Sequence, residues 1–229
     1  MTEKIRTLRH WISEAWVSSF AYKAIDKHIS IGYRRRLRND KFTILCSNCI
    51  GGVIYHRLGK QFLSPTINLY FSQPDFVLFC VYLDHYLNQE LIFINSEFDY
   101  PVGILEGNGT SIPTITIYFN HDKSEEVAKD NWEKRKCRIH RDNLFIMLYM
   151  LDGVTIEQLR MIEKIPCKNK VVFTAKPLPE IQWSCYIKPN PRHKYPYNYL
   201  QKDIFGVRYY ERRFDAVAFL NCDQNTEKE

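Results

Sequence analysis

Three groups of residues carry side chains suited to chemistry. Ser47, Asn48 and Cys49 place a hydroxyl, an amide and a thiol in consecutive positions, with Gly51 and Gly52 close behind. His121 follows the apolar run Thr114–Phe119, and Trp132, Arg135 and Arg138 recur at three-residue spacing. A thiol beside the free backbone N–H groups of a helix start has its pKa lowered and can act as a nucleophile. A histidine near neutrality can serve as its general base, or as the base for a hydroxyl. Arginines spaced along one helix side can clamp a phosphate or carboxylate, while a tryptophan among them stacks on a sugar or base. Each group also has a plain structural reading: a tight turn of small residues, a helix-capping or surface histidine, and a solvated helix with one buried tryptophan.

The elements around the first group favour its binding or catalytic reading and leave the readings of the other two open. Phe42–Cys46 is an apolar, β-branched run that reads as a buried strand, and Val53–Leu58 reads as a helix, so residues 47–52 form a strand–turn–helix corner. In an open α/β sheet such corners, at the strand carboxyl ends, are where ligands bind. The turn has neither the Lys-Ser/Thr ending of a phosphate-binding P-loop nor the glycine spacing of a dinucleotide fingerprint. His121 occupies the equivalent place between the Thr114–Phe119 strand and a helix from Ser124 to His140. If those two strands are neighbours, His121 faces Ser47–Cys49. His56, in the helix after the corner, is a weaker candidate because it can simply pack.

Strand and helix patterns continue to alternate: strand Thr66–Phe71, helix Phe76–Leu87 capped by Ser72, strands Leu91–Ile94 and Tyr100–Leu105, strand Leu144–Tyr149, helix Thr155–Ile165 and strand Lys170–Thr174. This alternation predicts an α/β fold with a mainly parallel sheet and helices on both faces. The reading divides the chain into a basic amphipathic N-terminal helix and connector (residues 1–40), the α/β core (41–175) and a Pro/Tyr-rich C-terminal subdomain or flap (176–229). Edge strands are expected at Trp183–Ile187 and Ala216–Leu220, and a short helix at Tyr197–Phe205. The N-terminal helix carries Trp11 and Trp16 on its apolar side, and Arg6, Arg9, Lys23 and Lys27 add positive charge, a pattern that fits peripheral contact with an anionic membrane surface or docking on the core.

Composition sets the outer bounds. The 229 residues are 45% hydrophobic and 14% aromatic, which argues for a folded chain. A net charge of +6 is a mild bias toward phosphate-bearing partners and does not by itself imply nucleic acid. Seven cysteines, an odd number without paired spacing, fit reduced thiols in the cytoplasm. Cys46 and Cys49 form one C-x-x-C pair with no second pair or histidine cluster to complete a zinc site, so no metal is expected. No apolar run reaches the roughly 20 residues of a membrane span.

Several runs taken together resemble a known family. Phe42-Thr43-Ile44 with Ser47-Asn48-Cys49-Ile50-Gly51-Gly52, the stretch Gln61–Leu69, Tyr100-Pro101-Val102-Gly103, Phe119-Asn120-His121, the Trp132 to Ile139 segment and Lys168–Thr174 are similar to the bacterial "domain of unknown function 1919" family, often labelled exopolysaccharide biosynthesis protein. The similarity spans roughly residues 35–205. One departure is Asp122, where the family usually has a tyrosine after the histidine. The resemblance implies a cytoplasmic protein of surface-polysaccharide assembly, in a family whose members are sometimes called acetyltransferases. Acetyl-CoA is then the expected donor and a sugar or polysaccharide precursor the acceptor. His121 would be the general base, Cys49 or Ser47 the nucleophile, Asn48 with the Gly51-Gly52 backbone the oxyanion site, and Trp132, Arg135 and Arg138 the donor's phosphate and base contacts. A nucleotide-sugar transferase and a non-catalytic, membrane-associated scaffold are the alternatives.

Overall fold

The apolar run at the opening corner forms β1 (Thr43–Cys46), whose four residues are all buried. The computed structural model describes residues 19–150, 154–188, 200, 202, 206–223 and 226. The apolar stripe containing Trp11 and Trp16, the turn at Asp152-Gly153 and most of the helix expected at 197–205 lie outside the described residues.

β1 leads into a four-stranded parallel sheet with β6 (Leu144–Tyr149), β7 (Asn169–Thr174) and β8 (Ser184–Tyr186), in the order β1-β6-β7-β8. Every residue of β6 is buried, as expected for an unbroken apolar run covered on both faces. The chain is therefore of the α/β class. Its two faces carry separate cores. One gathers Ile44, Phe145, Met147 and Phe173 under α2 (Ile50–Leu58) and α7 (Ala216–Asn221). The other gathers Leu45, Ile146 and Val172 with α3 (Gln73–Val81), α5 (Glu125–Lys136) and α6 (Ile156–Glu163).

The remaining four strands form a second, antiparallel sheet, ordered β2 (Tyr70–Phe71), β5 (Ile115–Tyr118), β4 (Val102–Leu105) and β3 (Ile92–Ile94). Burial alternates along β5, the mark of a sheet with one packed face and one wetter face. Its core face holds Phe71, Ile115 and Ile117 against α3, which Ser72 caps by accepting from the Asp75 N–H at 3.2 Å. The helix expected at 76–87 breaks at Tyr82 and resumes as α4 (Leu83–Asn88).

Three other boundaries differ from expectation. The Thr66–Phe71 run is extended only at its last two residues, because Asn68 takes the left-handed conformation at φ 59°. The helix following His121 stops at Lys136, so Arg138 lies beyond it. Residues 216–221 form helix α7 rather than a strand, because the Asp215 carboxylate accepts from the N–H groups of Val217 and Ala218 at 3.0 and 3.2 Å and starts a turn. Among the described residues, no helix is long and apolar enough to cross a membrane.

Candidate active site

The two sheets meet at the carboxyl end of β1. The Ser47 N–H donates to the Met147 carbonyl at 3.3 Å, extending the parallel ladder, while the Ser47 carbonyl accepts from the Phe71 N–H of β2 at 3.4 Å. Because β2 runs antiparallel to β5, with Tyr70 opposite Tyr118, the carboxyl end of β5 returns to this junction. There the Cys49 sulfur lies 3.5 Å from His121 Nε2. The pair singled out in the sequence is thus in contact, although β1 and β5 belong to different sheets and the neighbour of β1 is β6. What brings the two together is an end-to-end junction of sheets, which strand order in a single sheet does not describe.

Cys49 occupies the N-cap position of α2 with helical backbone angles, and its side chain caps nothing. It is half-buried and His121 is exposed. Burial raises the Cys49 thiol above its ordinary value, and a hydrogen bond from its own backbone only partly opposes this. The thiol is consequently protonated at neutral pH. With the imidazole proton on Nδ1, Nε2 can accept the S–H and take its proton during reaction. The neighbouring acid does not orient the ring: buried Asp122 accepts from Asn131 Nδ2 through Oδ1 at 2.7 Å.

Other residues named from the sequence sit in structural positions. Ser47 is buried, and its hydroxyl accepts from the Tyr149 N–H at 3.4 Å, which turns it into the parallel sheet. Asn48 Oδ1 accepts from the Ile50 N–H at 3.1 Å and so closes the turn. Gly51 and Gly52 are buried where the loop 61–69 crosses α2. A Cβ on Gly51 would stand 2.5 Å from the Cys46 sulfur, and one on Gly52 would stand 3.1 Å from Asn68 Oδ1. Their role is close packing, and they present no open cradle. Trp132 is 1% exposed, between Phe79 and Phe119. Arg135 is buried and donates to the Ile67 carbonyl at 2.7 Å, and Arg138 donates to the Phe62 carbonyl at 3.4 Å. These two arginines staple the 61–69 loop under the corner.

Two residues after His121 the chain enters the wall of a cleft of about 500 Å³ that the sequence did not single out, lined by Lys123 and Glu125 together with Asn95, Phe98 and Tyr100. Phe98 stacks on Tyr100 at 5.0 Å, Tyr70 stacks on Tyr118 at 4.6 Å, and the Tyr70 and Tyr100 hydroxyls are hydrogen-bonded at 2.8 Å. The alternation in β5 signals an outward face, but only the cross-strand register shows that these rings converge there. Among the described residues, no group of histidine, cysteine and acidic side chains could hold a metal ion.

These features define an α/β protein with a parallel sheet joined end to end with an antiparallel one, and a thiol–imidazole pair at the joint. The chain belongs to the family described as Domain of unknown function (DUF1919), which it matches over residues 21–221. It is also 37% identical over 194 residues to an uncharacterized protein of Haemophilus influenzae, an alignment covering 82% of this chain and 88% of that protein.

Proposed function

We propose that the chain is a transferase of bacterial surface-polysaccharide assembly that moves an acyl group, most simply from acetyl-CoA, to a sugar hydroxyl. The observation that carries this reading is the 3.5 Å contact between the Cys49 sulfur and His121 Nε2 at a strand carboxyl end. His121 takes the Cys49 proton as the sulfur attacks the thioester carbonyl, and the coenzyme leaves as a thiol with that proton. His121 then deprotonates the acceptor hydroxyl, which attacks the acyl-cysteine and restores the thiol. The cleft whose wall begins at Lys123 suits the acceptor: aromatic faces for the apolar side of a sugar ring, with Asn95 and Glu125 for its hydroxyls. The polysaccharide setting is what the family resemblance implies.

Incubating the chain with acetyl-CoA and hexose acceptors, with intact-mass detection of acetyl-Cys49, tests the reading. Wild type should transfer acetyl groups and accumulate the cysteine adduct when acceptor is withheld. Removing the base in His121→Ala should lower the rate by about 100- to 10,000-fold. Neither adduct nor transfer in wild type would reject the acyl reading. A nucleotide-sugar donor, which like acetyl-CoA presents phosphates to cationic side chains, is the second reading, and substituting nucleotide sugars in the same assay separates the two.

A further inference from the structure

Helix α1 (Phe20–Arg36) lies across α2, and between them is a cleft of about 390 Å³. Its walls carry six cationic side chains, Lys23, Lys27, Arg34, Arg57, Lys202 and Arg208, against the single carboxylate of Asp26. That carboxylate is already committed, accepting from Arg57 Nη1 at 2.6 Å and from Lys202 Nζ at 2.8 Å. Arg57 is also neutralised by Glu211, through a two-pronged pair at 2.9 and 2.7 Å. Among the described residues, the side chains of Lys23, Lys27, Arg34 and Arg208 form no ion pair, although the Arg208 backbone N–H donates to Glu211 Oε2 at 2.6 Å. Arg34 gives its Nε–H to the Arg57 carbonyl at 3.2 Å, and Arg208 gives Nη1 to the Leu200 carbonyl while its buried Nε has no acceptor among the described residues.

Positive charges held together around a concavity without counter-charge raise one another's free energy unless an anion joins them. We propose that the cleft between α1 and α2 is a binding site for a phosphate-bearing ligand, of which a diphosphate is the smallest adequate member. Its position gives it a use. Of the residues of α2, only Val53 and His56 are not buried, and both line the cleft. With Cys49 they follow i, i+4, i+7 spacing, a single stripe on which Val53 and His56 stand roughly 6 and 10 Å along the axis from Cys49. If the transferase reading holds, a donor whose phosphates sit in the cleft has its reactive end within reach of the Cys49–His121 pair. Anion binding itself needs neither of those residues.

The experiment is calorimetric titration of the full chain with inorganic pyrophosphate, at low and moderate salt, on wild type, Lys23→Glu/Lys27→Glu and Cys49→Ala. Both lysines are exposed on α1, so the double variant should fold, and a circular-dichroism melt checks this. Saturable binding that weakens with salt, falls at least tenfold in the double variant and is unchanged in Cys49→Ala is the expected result. No saturable binding, or equal binding in wild type and the folded double variant, overturns the proposal. Sedimentation with phosphatidylglycerol vesicles identifies the source of the phosphate. Capture that pyrophosphate reverses points to a lipid headgroup, and chain left in the supernatant points to a soluble donor. Loss of acetyl transfer in Cys49→Ala with pyrophosphate binding intact would show that the two sites succeed or fail separately.

Discussion

At the scale of single residues the deciding question is which force sets the Cys49 thiol. A helix start lowers a thiol pKa through its unpaired N–H groups, and that was the sequence expectation. In the folded chain burial dominates and moves the thiol the other way. Cys49 therefore holds little thiolate at neutral pH, and His121 acts when the bond forms rather than storing an ion pair beforehand. Alkylation by iodoacetamide, followed by peptide mapping across pH, measures this. Cys49 should react slowly at pH 7 and accelerate through the ordinary thiol value of 9.0 without levelling below it, while exposed Cys137 reacts faster. Fast, pH-independent alkylation of Cys49 between about pH 6 and 8 would instead indicate a preformed thiolate–imidazolium pair.

At the scale of elements, the corner is legible in sequence because its strand is continuously apolar and its turn is made of small residues. The purpose of the glycines is not legible there, since a ligand cradle and a close helix–loop crossing require the same residue. The structure decides for the crossing: a Cβ on Gly51 would stand 2.5 Å from the Cys46 sulfur and 3.0 Å from Ile67 Cδ1, both wholly buried. Gly51→Ala should destabilise the fold by about 1–3 kcal/mol as an overpacked core position. In a urea unfolding series, adding Cys46→Ala should recover part of that loss, because the alanine's methyl group would then occupy the space vacated by sulfur. A neutral Gly51→Ala would return the glycines to a ligand-facing role. The same limit explains α7. Ala216–Leu220 is buried all round, so no period separates helix from strand, and only the Asp215 cap announces the turn. The antiparallel sheet was hidden for a different reason: local pattern identifies β2, β3, β4 and β5 as strands but does not say which partners they choose. That choice is what brings His121 to Cys49.

At the scale of the whole molecule, one ion pair links distant parts of the chain. Arg57 of α2 and Glu211, both almost wholly buried, are joined by two hydrogen bonds; Arg57 Nη2 also donates to the Gly206 carbonyl, and Nη1 reaches Asp26 of α1. The exposed pairs, such as Lys134–Asp130, contribute at most about 1 kcal/mol each because water screens them. The buried pair differs because removing Glu211 strips Arg57 Nε and Nη2 of their carboxylate where water does not reach, leaving only partly exposed Asp26 on Nη1. Glu211→Ala should therefore cost about 3–5 kcal/mol in chemical denaturation. Replacing both partners, as Arg57→Met with Glu211→Leu, should restore much of that stability, since an apolar pair of similar volume removes the desolvated charges altogether. The double variant also separates folding from binding. It keeps Lys23, Lys27, Arg34 and Arg208 while removing a cation that Glu211 already neutralises, so pyrophosphate affinity should change by less than the tenfold loss expected of the lysine variant. A Glu211→Ala cost below about 1 kcal/mol would place this pair with the screened surface pairs.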